Sequence, residues 1–213
     1  MLHYDAVPAA VRELLSRLAP LEELSNFHLG GGTSLALRFG HRLSVDLDFF
    51  TIHDFDPEAL HSALPLTEST APARAKGSLT LTAGGVKLDF LRHAYPLLSE
   101  PERLNNVSFL SARDVVAMKL NAIANRGAKK DFFDLCELLR HHSLEEMLLS
   151  YEAKYQNSDR FVVLRSLAWF DCRDGARPRV SQWRLLAFSP KANPKVAAQL
   201  VTRASSEWRE KRR

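Results

Sequence analysis

Two aspartates two residues apart, Asp46 and Asp48, follow a run of three glycines, and together these features suggest phosphate and metal chemistry. The stretch reads FHLGGGTSLALRFGHRLSVDLDFF, from Phe27 to Phe50. Its pattern predicts a short apolar strand, a glycine turn, a short helix and a second strand. On that second strand Asp46 and Asp48 leave one face, while Leu47 and Phe49 leave the other. Gly30, Gly31 and Gly32 let the backbone approach a ligand, and Thr33 is positioned to cap the helix. The open N–H groups of that helix end would receive a phosphate. Taken alone, each piece has a plainer reading. Gly-Gly-Gly-Thr lacks the Lys-Ser/Thr pair of a P-loop and the spacing of a dinucleotide turn, and by itself is first a tight turn. An isolated pair of carboxylates equally well faces solvent. The apolar neighbours Val45, Leu47, Phe49 and Phe50 predict a buried strand, where unpaired carboxylates are costly. Hard oxygen ligands of this kind suit Mg²⁺ when substrate phosphates complete its shell.

Gly31-Gly32-Thr33, the spacer, and Asp46-Leu47-Asp48-Phe49-Phe50 resemble the signature of the DNA polymerase β-like nucleotidyltransferase superfamily. Within it, GGTSLAL followed by HRLSVDLDFF resembles the AbiEii/AbiGii toxin family, the toxin half of bacterial abortive-infection and toxin–antitoxin systems. The resemblance covers about residues 27–139, and at its widest reaches Phe170. It implies a third metal carboxylate on a strand beside Asp-x-Asp, and Asp89 holds the matching position. Without the resemblance, Lys87 and Asp89 read as a pair on a solvated sheet face. It also implies a lysine that faces the triphosphate, matched by Lys119 in VVAMKL; the bare residue reads as a snorkelling lysine. The segment NRGAKKDFFDLCELL, with Lys130, Asp131 and Asp134, resembles the fourth family motif. These three, with Lys87, are read as supporting the site from behind the ligand-binding residues. Arg42 and Ser44, just ahead of the carboxylates, are read as phosphate contacts.

The elements that must position these residues follow from periodicity. Residues 8–18 predict an amphipathic helix through Val11, Leu14, Leu15 and Leu18, and residues 57–64 a second short helix. Residues 78–82 and 86–91 alternate apolar and polar around Ala83-Gly84-Gly85, which predicts a hairpin. In its second strand Val86, Leu88 and Phe90 share one face, and Lys87 and Asp89 the other. From Asn105 the pattern turns helical. Ser111 and Asp114 resemble a capping box for a helix running to Asn125, with Val115, Met118, Ala122 and Ile123 as its stripe and Gly127 as its C-terminal cap. Two more helices are predicted between Ser143 and Phe170, the first on Leu144, Met147, Leu148 and Tyr151, the second on Phe161, Leu164, Leu167 and Ala168. Pro178, Pro190 and Pro194 interrupt regular structure in the C-terminal stretch, which also carries Trp169, Trp183 and Trp208 and closes on Lys211-Arg212-Arg213.

At 213 residues the chain buries a proper core. Its 46% hydrophobic and 25% charged content is that of an ordinary globular protein, and its net charge of +4 is a mild basic bias compatible with nucleic acid. Cys136 and Cys172 fit no metal or redox spacing and point to a reducing compartment. The N-terminal residues carry charges where a signal peptide needs an apolar run, and no stretch reaches membrane-span length, so the expectation is a cytoplasmic protein with no membrane partner.

The expected fold is α/β (α+β), a small mixed sheet backed by helices. A nucleotidyltransferase core over residues 1–104 carries the glycine and Asp-x-Asp motifs. A helical region over 105–213 completes the cleft. The resemblance implies two Mg²⁺ ions on Asp46, Asp48 and Asp89, an NTP substrate, transfer of NMP to an acceptor hydroxyl, tRNA at its 3′ end as that acceptor, and a cognate antitoxin. Asp89 is a candidate for the acceptor's proton. Two alternatives come from other classes: an antitoxin or binding scaffold built on the same fold, and a metal-dependent nuclease. Ser44, two residues before Asp46, is expected on the same face, where a modification would set negative charge against the carboxylates.

Overall fold

The computed structural model describes residues 1–66 and 69–169, with 69–72 and 168–169 described by their backbone alone. Phe170, Cys172, Pro178, Trp183, Pro190, Pro194, Trp208 and Lys211-Arg212-Arg213 lie outside the described residues.

Period-two apolar stretches form a single mixed sheet. Its strands are β1 (His28–Leu29), β2 (Leu47–Thr51), β3 (Ser69–Ala75), β4 (Ser78–Ala83), β5 (Val86–Arg92), β6 (Glu102–Leu104) and β7 (Val107–Phe109). Their spatial order is β3-β4-β5-β2-β1-β7-β6. The pairs β2–β5 and β1–β7 are parallel and the others antiparallel. This is the mixed α/β architecture the sequence predicts. The β4–β5 hairpin turns at Gly84 and Gly85, with φ of 55° and 76°; a two-residue turn of this hand needs positive φ at both positions.

Two stretches depart from the sequence reading, β3 and the β6–β7 hairpin. β3 contains Pro72, which cannot donate to a ladder; it is tolerated because β3 is an edge strand whose register shifts between Thr70 and Ala73. The helical pattern expected from Asn105 begins only at Ala112. Asn105 and Asn106 instead adopt φ of 48° and 65° and turn β6 back into β7, using the tolerance of asparagine for the left-handed region.

The first compact unit, Met1–Val115, holds the sheet with α1 (Ala9–Leu18), α2 (Gly31–Phe39) and α3 (Pro57–Ala63). Its core joins Val11, Leu14, Leu15 and Leu18 of α1 to one face of the sheet through Leu29, Leu47, Phe49, Leu79, Leu81, Leu88 and Phe90. At its centre Phe90 stacks on Phe49, with centroids 5.3 Å apart, and meets Phe27 edge-on at 5.6 Å. The opposite sheet face keeps Asp48, Phe50 and Leu91 half-buried and Lys87 exposed.

The described residues of the second unit, 116–169, are built from helices. α4 (Ala112–Asn125) crosses the boundary in sequence, and α5 (Lys129–His141), α6 (Leu144–Lys154) and α7 (Arg160–Trp169) follow. Ser111 caps α4 by accepting the Asp114 N–H, and Gly127 (φ 55°) ends it. Ser143 and Glu146 form a capping box on α6. In α6, Met147, Leu148 and Tyr151 are buried as predicted, whereas in α7 Phe161 is exposed and Val163 takes the buried position. No helix of the described residues is long and apolar enough to cross a membrane.

Candidate active site

The glycine turn, the Asp-x-Asp segment and the third carboxylate all lie in the first unit, drawn together by strand pairing. β2 and β5 run parallel with Asp48 opposite Asp89, so the two side chains leave one face as neighbours. β4 adds Thr80 opposite Asp89, and its hydroxyl donates to Asp89 Oδ1. Lys87, two residues back on β5, donates its ammonium to Asp89 Oδ2. Asp89 is 8% exposed, so both of its oxygens are satisfied where an unpaired carboxylate would be costly. The hydrogen bond to Asp89 raises the Lys87 pKa above its ordinary value against the opposing effect of burial, and the charges of Asp89, Asp48 and Asp46 add to the rise. Three carboxylates therefore act on one cation.

The three glycines each make room for a different side chain. A Cβ on Gly30 would lie 2.6 Å from the Phe50 ring, on Gly31 2.1 Å from Asp48 Oδ2, and on Gly32 2.0 Å from Arg42 Nη2. The Gly30 N–H also donates to the Asp48 carbonyl at 2.9 Å, which ties the turn to β2. Because α2 begins at Gly31, Thr33 lies inside its first turn and caps nothing. Its buried hydroxyl instead reaches Ser44 Oγ at 2.8 Å and the Asp46 carbonyl, holding the segment before β2 against the helix.

Asp46 differs from its expected position. It precedes β2 rather than lying on it, and is half-exposed. Val45, read as part of a buried strand, is 55% exposed, and Leu43 is 70% exposed. The chain here is fixed by main-chain contacts, Thr33 to Asp46 and the Ser44 N–H to the Ala6 carbonyl at 3.0 Å, so apolar side chains are not needed to pin it. Ser44 is 7% exposed. Modifying it would require this contact with Thr33 to open.

The remaining expected residues lie in the second unit. Lys119, on α4, is 4% exposed and its ammonium lies 2.7 Å from Asp134 and 3.4 Å from Asp131, both on α5 and fully buried. Arg126 grips Asp131 with two donors, each at 2.9 Å. Burial pushes the Asp131 carboxyl up, but the hydrogen bonds from Arg126 and the charges of Lys119 and Arg126 outweigh it and leave its pKa below the usual range. Lys119 is thus a paired, buried lysine and not a snorkelling one. Lys130 is exposed.

Among the described residues, no group of three His, Cys, Asp or Glu side chains is arranged to hold a metal ion by itself. The donor set still fits a divalent cation. Asp48 and Asp89 are adjacent oxygen donors, and the field they share with Asp46 already stabilises the positive charge of Lys87. Residues that the sequence reading did not single out are Thr80, visible only through the β4–β5 register, and the rings of His93 and Tyr95 beside Phe50.

The sequence and the fold were compared with known proteins. The family model described as "Nucleotidyl transferase AbiEii toxin, Type IV TA system" matches residues 13–82 and 73–204. An uncharacterized protein of Aquifex aeolicus (strain VF5) is 37% identical over 167 residues, covering 75% of this chain and 81% of that protein. Among solved structures, JHP933 from Helicobacter pylori superposes over 92% of this chain and 88% of its own, at 19% identity and a TM-score of 0.47. MenT4, a nucleotidyltransferase toxin of Mycobacterium tuberculosis H37Rv, superposes over 82% of this chain and 69% of its own, at 19% identity and a TM-score of 0.45. With the family model spanning most of its length, the chain belongs to the AbiEii nucleotidyltransferase toxin family.

Proposed function

We propose that the chain transfers a nucleoside monophosphate from an NTP to a hydroxyl at the 3′ end of tRNA, with Mg²⁺, as the toxin partner of a cognate antitoxin. The observation that carries this reading is the register of Asp48 against Asp89 beside a glycine turn that closes onto Asp48. Asp46, Asp48 and Asp89 would hold the metal, two ions being the expected complement. When bound, the metal neutralises the triphosphate and acidifies the acceptor hydroxyl.

The chain's own groups have separate tasks. The first N–H groups of α2 and the Arg42 guanidinium beside Gly32 bind the β- and γ-phosphates. Thr33 and Ser44 keep the Asp46 segment against that turn. The acceptor oxygen forms a bond to the α-phosphorus, the bond from that phosphorus to the α,β-bridging oxygen breaks, and pyrophosphate leaves with the electron pair. Asp89 receives the acceptor's proton. Within the second unit, Asp134 and Asp131 hold the Lys119 ammonium in one orientation.

The test is to offer each α-labelled NTP in turn with total tRNA and with cell extract. Label on the tRNA 3′ end supports the reading. Label on protein bands keeps the chemistry and replaces the acceptor, and shortened, unlabelled tRNA would replace transfer with nuclease action.

A further inference from the structure

We propose that Phe50, His93 and Tyr95 form a nucleobase-stacking subsite on the sheet face that carries Asp48 and Asp89. The inference rests on the proposed transferase activity and adds to it the place where a base binds. Phe50 follows Asp48 by two residues on β2, so both side chains leave the same face. His93 continues β5, its N–H donating to the Thr51 carbonyl at 2.7 Å, and lies four residues beyond Asp89 with the same parity. The Phe50 and His93 rings meet edge to face with centroids 6.0 Å apart, and His93 and Tyr95 are tilted at 4.8 Å. Tyr95 is 45% exposed, more than a ring serving the core would be.

The subsite is continuous with the rest of the site. Gly30 leaves room for the Phe50 ring as Gly31 does for Asp48, so the phosphate turn, the carboxylate and the aromatic group follow one another. Two residues of strand cover roughly 7 Å, a span that a ribose bridges between phosphate and base. Aromatic faces stack on any base, so the subsite would hold the ring without choosing among bases. That ring belongs either to the nucleotide substrate or to the terminal residue of the RNA acceptor. Both present the same π-face.

Calorimetric titration of the full chain with Mg²⁺ and three probes tests the proposal: a non-hydrolysable α,β-methylene NTP, inorganic tripolyphosphate, and a short single-stranded RNA with an intact or abasic 3′ end. Tyr95→Ala and His93→Ala are compared with wild type and with Tyr95→Phe; Phe50 is left alone because it packs on Gly30. The expected result is a loss of about 5- to 100-fold for one base-bearing probe. Tripolyphosphate binding is unchanged, and Tyr95→Phe binds the base-bearing probe as wild type does. Loss for the NTP assigns the nucleotide's base; loss for the intact but not the abasic RNA assigns the acceptor's. Alanine variants that bind every probe as wild type does, or that lose tripolyphosphate in step with the NTP, overturn the subsite and leave the transferase standing. A wild-type protein that binds neither NTP nor tripolyphosphate overturns both.

Discussion

Gly31 and Asp48 approach so closely that the glycine's missing side chain is part of the site: a Cβ there would fall 2.1 Å from Asp48 Oδ2. Gly31 also has φ of +63°, a conformation other residues adopt at a cost. Gly31→Ala is therefore expected to lower stability by about 1–3 kcal/mol, measured by urea unfolding. Displacing the carboxylate by an ångström should reduce nucleotidyl transfer by about 100-fold or more. A variant with normal stability and full transfer would show that Asp48 does not depend on the turn.

The Lys119–Asp134 pair gives a second prediction, confined to the helical unit. Removing Asp134 leaves the buried Lys119 ammonium only its longer contact with Asp131, which Arg126 already engages. Asp134→Leu alone should cost about 3–5 kcal/mol in chemical denaturation, whereas Lys119→Met with Asp134→Leu should recover most of that loss. Asp131 keeps Arg126 in the double variant, so it is not left unpaired. If the double variant were as unstable as the single one, the pair would not be the source of the effect.

Asp131 predicts a pH dependence. Its folded pKa lies below its unfolded value, so the unfolded chain takes up the proton at higher pH than the folded chain. Its contribution to stability is complete above the unfolded value, about 3.9, and is lost as pH falls through the lower folded value. Urea midpoints measured at successive pH values from about 5 downward should fall in wild type and fall less in Asp131→Asn, which starts lower. Parallel profiles would remove Asp131 as the source.

The placement of several candidate residues was legible because they sit in short-range patterns. Asp48 and Lys87–Asp89 obey strand parity, and the Gly84-Gly85 turn announces its hairpin. Residue spacing alone does not set the pairing. Thr80 reaches Asp89 only through the β4–β5 register, and the neighbouring of Asp48 and Asp89, expected from the family resemblance and not from spacing, comes from β2 and β5 running parallel across an intervening stretch. Thr33 was misplaced because the helix starts at Gly31, two residues before its hydroxyl could cap. Asp46 was misplaced because hydrogen bonds from Thr33, and not apolar burial, hold that segment. β3 went unassigned; it carries Pro72, a residue that argues against a strand everywhere except on an edge.

The central claim is that the Asp48–Asp89 face beside the glycine turn performs nucleotidyl transfer. Its most direct test supplies wild type and Asp48→Asn with α-labelled and, separately, γ-labelled NTP, with Mg²⁺ and total tRNA. Wild type is expected to transfer the α label and not the γ label, and the folded Asp48→Asn protein neither. Transfer of the γ label, or undiminished α transfer by Asp48→Asn, would contradict it.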